Sequence, residues 1–312
     1  MSTLVTGASG FVGRRVMQDD YIAMVRKPAG FRNQVFADLT DGESLNRACR
    51  EVSTVIHCAG YAHAFSKENP EIHHAVNVLG TKALVEAAAR SGVGKFIFLS
   101  SVKAQAEPGE NCVDEDWPGQ PRTAYGSAKR MAEDIVLQAG ASAGMHVVIL
   151  RLAMVYGRGG RGNLERLARA MDDGWFPDLP DVGNRRSLVH VNDVVSAVQT
   201  VANRHEANGR IYIVAHPEPH STGQLCKAIR RMRGGTGGLW QVPVWTLRAG
   251  GKVGDMAGRI LAKPMPFNSE NASRLLDSEW YSPARIQREL GWEASVSLLD
   301  GLTEMLSPST QN

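Results

Sequence analysis

The stretch TGASGFVG (residues 6–13) follows a short apolar run and opens a segment with helical spacing. A strand, a glycine loop and a helix in this order form the context of a dinucleotide-binding fingerprint, although the glycines here are spaced GxxGxxG rather than GxGxxG. Glycines let the backbone turn tightly and approach a pyrophosphate, whose negative charge is met by the free N–H groups of the helix start. We therefore expect this loop to bind a dinucleotide cofactor, through residues Gly7, Gly10, Phe11, Val12 and Gly13.

The chain alternates short β-branched or apolar runs with longer helical patterns, the runs lying at residues 3–6, 21–25, 34–37, 54–57, 95–100 and 147–152. This alternation predicts an α/β fold with a Rossmann-type, doubly wound parallel sheet. Beyond about residue 160 the strands become sparse and prolines frequent. We expect a dinucleotide-binding domain over residues 1–160 and a smaller C-terminal α/β substrate lobe over residues 161–312, with a strand near 210–214 returning to the main sheet.

The composition favours a small-molecule partner. With 43% hydrophobic residues the 312-residue chain can bury a large core, and its net charge of +3 is far from the positive field that nucleic-acid binding requires. The four cysteines show no CxxC pair or metal-finger spacing, and no apolar run approaches the roughly 18 to 20 residues that span a bilayer. These patterns predict a cytoplasmic protein with no metal, no nucleic-acid partner and no membrane span.

Several helix limits can be read from the sequence. Only about residues 14–20 separate the glycine loop from the second strand, so the first helix has roughly two turns and little surface to pack on the sheet. Residues 40–43 have the form of a capping box, which predicts Thr40 as the N-cap of the second helix. Residues 77–90 show a long helical pattern, and Asn192 and Asp193 are predicted to cap a later helix.

Basic residues occupy the position that usually selects between the two nicotinamide cofactors. A carboxylate roughly 20 residues past the first glycine would accept from the ribose hydroxyls, but here the strand ends Val25-Arg26-Lys27. Arg26 suits a 2′-phosphate, so we expect NADP. NAD remains the alternative, in which Arg26 and Lys27 are solvated loop charges. Further cofactor contacts are expected from Asp38, as a partner of the adenine amino group or as a helix cap, and from Leu39, Cys58, Ala59 and Gly60.

Tyr125 and Lys129 lie four residues apart in YGSAKRMAED, so a helix would present both side chains on one face. A nearby ammonium stabilises phenolate over phenol, so we expect the pKa of Tyr125 to fall below its usual value of about 10, as a general acid/base requires. Ser101, at the end of the run FIFLSS, can orient a substrate oxygen by a hydrogen bond. We predict Ser101, Tyr125 and Lys129 as catalytic residues, with Tyr125 and Lys129 also contacting the cofactor.

The motifs TGASGFVG, VIHCAG, NVLGTKALVEAA, FIFLSS, YGSAK, LRLAMVYG, RRSLVHVNDV and RELGW together resemble the extended short-chain dehydrogenase/reductase family over almost the full chain. The resemblance is to its NAD(P)-dependent nucleotide-sugar epimerases, dehydratases and reductases. Within these, SSVK and NRRSLVHV look most like bacterial reductases of UDP-4-keto-6-deoxy-N-acetylhexosamines in polysaccharide synthesis.

The resemblance implies roles for individual residues. Ser101, Tyr125 and Lys129 would form the catalytic triad, and Asn77 would order water and backbone beside the cofactor. The implied substrate is a UDP-sugar, held by Ser101, Lys103, Asn163, Arg186 and Arg274, although the usual arginine-proline motif is missing around Arg274. The implied partner is a second copy of the chain, paired through the helices that carry Asn77 and Tyr125.

Three functions remain open for such a site. A reductase passes hydride once to a 4-keto group while Tyr125 donates a proton, whereas a 4-epimerase oxidises and re-reduces the same carbon with a retained NAD. A non-catalytic redox regulator would only bind NADP, but such proteins commonly lose the Tyr or the Lys. A 4,6-dehydratase is disfavoured, because Val102 and Lys103 replace its Asp-Glu pair. Arg26 favours the reductase.

Overall fold

Short parallel strands form the centre of the computed structural model, which describes residues 2–61, 69–172, 179–234, 242–261, 263, 265 and 267–307. The strands are β1 (Ser2–Thr6), β2 (Ile22–Val25), β3 (Gln34–Phe36), β4 (Val52–His57), β5 (Lys95–Ser101), β6 (Cys112–Val113), β7 (His146–Leu152), β8 (Met154–Tyr156), β9 (Leu188–His190), β10 (Arg210–Val214) and β11 (Trp280–Tyr281). Seven of them make one sheet in the order β10-β7-β5-β4-β1-β2-β3, with every neighbouring pair parallel. The chain thus winds outward from β1 in both directions, which confirms the predicted doubly wound sheet.

Helices cover both faces of this sheet. They are α1 (Phe11–Val16), α2 (Gly42–Ala48), α3 (Pro70–Ile72), α4 (Gly80–Arg90), α5 (Ala124–Ala143), α6 (Asn163–Asp172), α7 (Val191–Asn203), α8 (Thr222–Met232), α9 (Val244–Ile260), α10 (Ser269–Leu276), α11 (Ala284–Leu290) and α12 (Leu298–Leu306). A π-helical segment, His73–Leu79, joins α3 to α4, so the helix predicted at residues 77–90 begins earlier than expected. None of the helices in the described ranges is long and apolar enough to cross a membrane.

Alternate residues of the central strands belong to two hydrophobic cores, one on each face of the sheet. On one face the buried residues Val5, Ile97 and Leu150 share a cluster with residues of α1 and α7. On the other face their neighbours in sequence, Leu4, Phe96 and Ile149, pack with residues of α2, α4 and α5. Because side chains of a strand alternate between faces, near-continuous apolar runs are what a sheet covered on both faces requires.

Residues beyond 160 contribute to the same core. β10 pairs with β7 at the sheet edge, and Tyr281, Ile286 and Trp292 join the apolar cluster that contains Val5. A smaller cluster around Tyr156, Leu164, Leu225 and Leu302 lies apart from it. The division into a domain over residues 1–160 and a substrate lobe over 161–312 stays a prediction.

Arg15 fixes the short first helix at its C-terminal end. Helix α1 has only six residues, fewer than the two turns predicted. The Arg15 guanidinium donates to Asn192 Oδ1 at 3.1 Å and forms an ion pair with Glu304 of α12 at 2.6 Å. These partners are distant in sequence, so α1 is tied to the start of α7 and to the last helix in addition to the packing of Val16 in the core.

The predicted caps of two helices are wrong by one to three residues. Asp41, not Thr40, is the N-cap of α2, and its carboxylate accepts from the backbone N–H groups of Glu43 and Ser44. His190, not Asn192 or Asp193, is the N-cap of α7. The Asp193 carboxylate instead accepts from the backbone N–H groups of residues 295 and 296, which fastens the segment before α12.

A fully buried ion pair links α5 to β7. Arg151 donates to both carboxylate oxygens of Glu133, at 2.6 to 3.2 Å, and both side chains are almost completely inaccessible. Ser100 of β5 donates to the same carboxylate at 2.5 Å, and Gln105 accepts from Arg151 at 2.8 Å. Buried charges persist only when paired and hydrogen-bonded, so this network fixes α5 over the ends of β5 and β7.

Replacing one member of this pair should destabilise the protein strongly. Glu133→Gln leaves the Arg151 charge buried without its counter-ion, so we expect a loss of about 3 to 5 kcal/mol in the free energy of unfolding. Urea denaturation measures it. The matched control is Glu86→Gln, which breaks the exposed Lys82–Glu86 pair on α4, where we expect at most about 0.5 kcal/mol. Equal effects of the two substitutions would contradict a structural role for the buried pair.

Candidate active site

The glycine loop packs against the end of β4. Gly7 has a φ of +65°, and the Gly10 N–H donates to the Gly7 carbonyl at 2.8 Å. A Cβ at Gly13 would lie 2.1 Å from the Gly7 oxygen, and one at Gly7 would lie 2.7 Å from the Ala59 nitrogen. Both glycines are therefore required by the packing of the loop itself, besides any approach of a cofactor.

The donors at this loop fit a pyrophosphate. Helix α1 begins at Phe11 with Gly10 as its N-cap, and no side chain of the cap accepts from the first N–H groups. Free N–H groups and the positive end of the helix dipole favour an anion at this position. The predicted contacts of Phe11 and Val12, both half-buried at the helix start, stay predictions.

The end of β4 is ordered by polar side chains from both sides. The Ala59 N–H donates to Thr6 Oγ1 at 3.1 Å. On the other side Asn77 binds the backbone of Tyr61 twice, accepting from its N–H at 2.7 Å and donating to its carbonyl at 3.0 Å. A Cβ at Gly60 would lie 3.1 Å from Asn77 Oδ1 and 3.5 Å from Lys129 Nζ. The backbone at Cys58-Ala59-Gly60 is thus held beside Lys129, which fits the predicted role of Asn77.

Arg26 and Asp38 emerge at the same sheet edge as the glycine loop. Thr6 of β1 pairs with Met24 of β2, so Arg26 follows β2 at this edge and is exposed there. The Asp38 carboxylate accepts from the backbone N–H and the hydroxyl of Thr40, at 2.9 and 2.7 Å. These hydrogen bonds, and more weakly the charge of Arg26, hold the pKa of Asp38 below its usual value. Leu39 is buried and would contact any Cβ at Gly80.

Helix α5 begins directly over the turn that follows β5. Thr123 is its N-cap and accepts from the Gly126 N–H at 3.0 Å. A Cβ at Gly126 would lie 2.2 Å from the Lys103 carbonyl oxygen, so the glycine lets the helix start touch the turn. This approach brings the Tyr125 hydroxyl into hydrogen-bond contact with Ser101 at the end of β5.

Lys129 lies one helical turn beyond Tyr125 and is buried. Its Nζ donates to the Leu99 carbonyl at 3.0 Å and lies 4.6 Å from the centroid of the Phe98 ring. Burial lowers the pKa of Lys129 to about 8, against the raising effect of Glu133 one turn further on. The structure thus brings Ser101, Tyr125 and Lys129 together where β5 ends and α5 begins.

The expected lowering of the Tyr125 pKa is wrong. Burial raises the pKa of Tyr125 to about 12, although the hydrogen bond with Ser101 acts in the opposite direction. The physical reason is that desolvation disfavours the phenolate, while the Lys129 ammonium is hydrogen-bonded to the Leu99 carbonyl. Tyr125 is therefore a protonated phenol at neutral pH, the state that a proton donor needs.

His73 lies beside the candidate catalytic residues, although the sequence did not predict it there. It is fully buried, its ring lies edge-on to Tyr125 at 5.6 Å between centroids, and its Nδ1 lies 3.4 Å from the Asn77 amide nitrogen. His73 and Asn77 both belong to the π-helical segment. Their spacing of four residues is the only local signal, and it does not reveal that the face points to Tyr125.

A second group of charges lies next to Ser101. The Lys103 N–H donates to Ser101 Oγ at 3.2 Å, and the Lys103 ammonium forms an ion pair with Glu279. Buried Arg186 donates to Glu279 at 3.2 Å and to the carbonyls of Arg274 and Asp277 at 2.8 and 3.2 Å. Although burial opposes it, the charges of Lys103 and Arg186 hold the pKa of Glu279 below its usual value.

The predicted substrate residues are therefore only partly brought together. Lys103 and Arg186 share Glu279, which the sequence analysis missed because it lies 176 residues from one and 93 from the other. The Arg274 side chain pairs with Glu270 on its own helix, while its carbonyl accepts from Arg186. Asn163 is exposed at the first turn of α6. Substrate contacts of all four residues stay predictions.

Three potential metal ligands lie in the loop that follows β10. The ligand atoms of His216, Glu218 and His220 lie within 4.8 Å of one another. One of these atoms, His216 Nδ1, already accepts from the Glu218 N–H at 3.2 Å. The expectation that the protein needs no metal stays a prediction.

A Rossmann-like sheet, a glycine loop at one strand end, and half-buried Ser101 and Tyr125 with buried Lys129 at another define a dinucleotide-dependent oxidoreductase. The chain belongs to the NAD dependent epimerase/dehydratase family, whose sequence pattern matches residues 3–215. The protein is therefore an enzyme of the NAD-dependent epimerase/dehydratase type within the extended short-chain dehydrogenases/reductases.

Known proteins are similar over nearly the whole chain. A UDP-glucose 4-epimerase of Vibrio cholerae is 28% identical and covers 97% of this chain and 94% of its own length. An N-acetyl-alpha-D-glucosaminyl-diphospho-ditrans,octacis-undecaprenol 4-epimerase of Escherichia coli O157:H7 is 23% identical, with coverage of 98% and 94%. The structure of a Thermus thermophilus UDP-glucose 4-epimerase complex with NAD is 26% identical and superposes with a TM-score of 0.74, covering 98% and 97% of the two chains.

Removal of the Tyr125 hydroxyl should separate catalysis from cofactor binding. Tyr125→Phe keeps the ring that packs on His73, so we expect normal cofactor affinity and a loss in turnover of at least ~100-fold, the scale of a general acid/base. Tyr61→Phe, whose ring also packs on His73, is the matched control and should turn over normally. Near-normal turnover of Tyr125→Phe would remove Tyr125 from the role of proton donor.

Proposed function

We propose that this enzyme reduces the 4-keto group of a UDP-linked deoxyhexosamine with NADPH. The observation that carries the proposal is the placement of Arg26, which stands exposed at the sheet edge beside the glycine loop, where an NAD-selective fold places a carboxylate. A guanidinium there suits a 2′-phosphate. Exchangeable reductive cofactors are commonly phosphorylated, so Arg26 favours a single reduction over a retained cofactor.

The residues at the start of α5 and the end of β5 perform the proton chemistry. When bound, the cofactor supplies the hydride for the keto carbon. Tyr125, a phenol with a pKa of about 12, donates its proton to the keto oxygen, and Ser101 holds that oxygen by a hydrogen bond. Lys129, buried and charged below a pKa of about 8, stabilises the phenolate that results. Solvent then restores the Tyr125 proton.

The charges beside Ser101 define the substrate end. Lys103 and Arg186 supply the positive charges for a sugar diphosphate, and the fixed fork of Arg186 is suited to phosphate oxygens. Lys103 and Arg186 are already ion-paired with Glu279. A diphosphate therefore either displaces this carboxylate from them or binds next to it. Val102 and Lys103 follow Ser101 in place of the Asp-Glu pair that removes water in a dehydratase, which is why dehydration is not proposed.

A UDP-sugar 4-epimerase that retains NAD is the second candidate. It is favoured by the UDP-glucose 4-epimerases of V. cholerae and T. thermophilus, which match this chain end to end. A non-catalytic NADP-binding regulator is not proposed, because Tyr125 and Lys129 are both present and brought together. We also propose that the protein pairs with a second copy through the helical segments that carry Asn77 and Tyr125. These segments expose the apolar side chains of Leu79 and Met131, which supports such a contact.

One assay separates the two candidates. Purified protein is offered NADPH with UDP-4-keto-6-deoxy-N-acetylglucosamine, and separately NAD with UDP-N-acetylglucosamine. We expect NADPH oxidation at a rate proportional to enzyme in the first mixture and no change of the sugar in the second. Sugar interconversion without net NADPH consumption would reject the reductase and establish the epimerase.

Charge reversal at Arg26 should change the cofactor preference. Arg26→Glu removes the partner of the 2′-phosphate, so we expect NADPH to bind about 10- to 100-fold more weakly, the scale of lost hydrogen bonds between charged groups. NADH binding should be retained or improved. The matched control is Lys27→Glu, an equal charge change at the next exposed position, which should alter the NADPH Kd little. An unchanged Kd ratio in Arg26→Glu would overturn the assignment.

The pH dependence of the reduction follows from Lys129. Its pKa is lowered to about 8, so the ammonium is present below this pH and lost above it. Since kcat/KM reports the free enzyme, we expect it to be constant below pH 8 and to fall above, whereas an oxidation, which needs the Tyr125 phenolate, would rise with pH. The Lys129→Met variant should reduce the substrate slowly, and its kcat/KM should not fall above pH 8. A kcat/KM for reduction that keeps rising above the Lys129 pKa of about 8 would contradict the mechanism.

A further inference from the structure

Helix α9 has one face that fits closely against the following segment. Gly251, Gly254 and Gly258 line this face, and a Cβ at Gly254 would lie 2.0 Å from the Phe267 carbonyl oxygen. The Asp255 carboxylate accepts from the Ser269 N–H at 3.3 Å on the same side. The small residues and the one acid of α9 are therefore directed toward α10, and the large residues are left for the opposite face.

That opposite face is an exposed apolar stripe. Trp245 is 70% exposed, Val253 and Met256 are each 59% exposed, and Ile260 is 76% exposed. Their spacing, with exposed Ala249 between the first two, follows the i, i+4, i+8 rhythm that places residues on one side of a helix. Soluble surfaces scatter large apolar residues singly, so a continuous stripe of this kind marks an interaction surface.

A row of cations runs along one border of the stripe. Arg248, Lys252 and Arg259 are all exposed, and at helical spacing they lie next to one another between the apolar stripe and the packed face. The outward charge of α9 is thus entirely positive, because Asp255 lies on the packed side. A helix with an apolar outer stripe containing tryptophan and a basic border matches the pattern of interfacial membrane helices.

We propose that α9 docks on the surface of an anionic lipid bilayer. The apolar stripe inserts among the acyl chains at the headgroup boundary, and the basic row meets the negative lipid phosphates. Charge complementarity selects this occupant over a second copy, because a second α9 carries the same positive charge, whereas an anionic bilayer carries the opposite one. The proposal is independent of which sugar reaction the enzyme performs.

The docked face lies close to the candidate active site. α9 packs on α10, and the carbonyl of Arg274 in α10 accepts from Arg186 beside Glu279. Within the described residues, α10 therefore links the lipid-facing helix to the charges of the substrate end. Association with the bilayer would hold that end of the protein near the lipid headgroups.

Vesicle binding by the full-length protein tests the proposal. Flotation is measured with vesicles of phosphatidylcholine alone and of phosphatidylcholine mixed with phosphatidylglycerol. We expect roughly 100-fold tighter partitioning to the mixed vesicles, from three cations near an anionic surface, and loss of the difference at high salt. The triple variant Arg248→Gln, Lys252→Gln and Arg259→Gln should abolish this preference.

The apolar stripe is tested by Met256→Glu with Ile260→Glu, which should weaken binding to mixed vesicles by about 10-fold or more. Leu299→Glu, at a residue of α12 that is 61% exposed, is the matched control and should bind normally.

All variants should keep the thermal unfolding temperature and the basal activity on a soluble substrate, because none of these residues lies in the site. Absence of binding to mixed vesicles, or equal binding by the α9 variants, overturns the proposal. A change of oligomeric state in those variants without vesicle binding also overturns it and assigns the stripe to a contact between copies.

Discussion

The buried ion pair between Glu133 and Arg151 is the interaction on which the site depends. It joins a helix to the central sheet, and the same carboxylate accepts from Ser100, one residue before Ser101. Lys129 lies one helical turn before Glu133, so the pair also sets the electrostatic surroundings of the proposed catalytic ammonium. An apolar contact at this point could hold the helix, but it would not fix the orientation of Glu133, Arg151 and Ser100 together.

Burial acts in opposite directions on the two titratable groups of the site. It raises the pKa of Tyr125 and lowers that of Lys129, so the phenol stays protonated over the whole range in which the ammonium is charged. Proton donation from Tyr125 is possible while Lys129 is still charged, which is the combination that a reduction requires. The hydrogen bond from Lys129 to the Leu99 carbonyl keeps that charge tolerable in a buried position.

The sequence predicts those features that depend on local spacing. Alternating runs located the sheet strands to within a few residues, and a spacing of four placed Tyr125 and Lys129 on one helix face. Contacts between distant segments were not predicted. Glu279 pairs with Lys103 and Arg186, which lie 176 and 93 residues away, and Arg15 pairs with the last helix. The direction of the Tyr125 pKa was predicted wrongly because spacing indicates a neighbour, whereas desolvation depends on the packing of the whole domain.

The net charge illustrates the same limit. A value of +3 over the whole chain excludes a dense positive field, yet it conceals how the charges are distributed. Beside Ser101, Lys103 and Arg186 are both paired with Glu279, so much of their positive charge is balanced within the protein. On α9 the one acid is drawn to the packed side by Ser269, and the cations remain outward beside exposed apolar residues. The same residue types therefore build a closed polar site in one place and an open cationic surface in another, because packing decides which charges meet solvent.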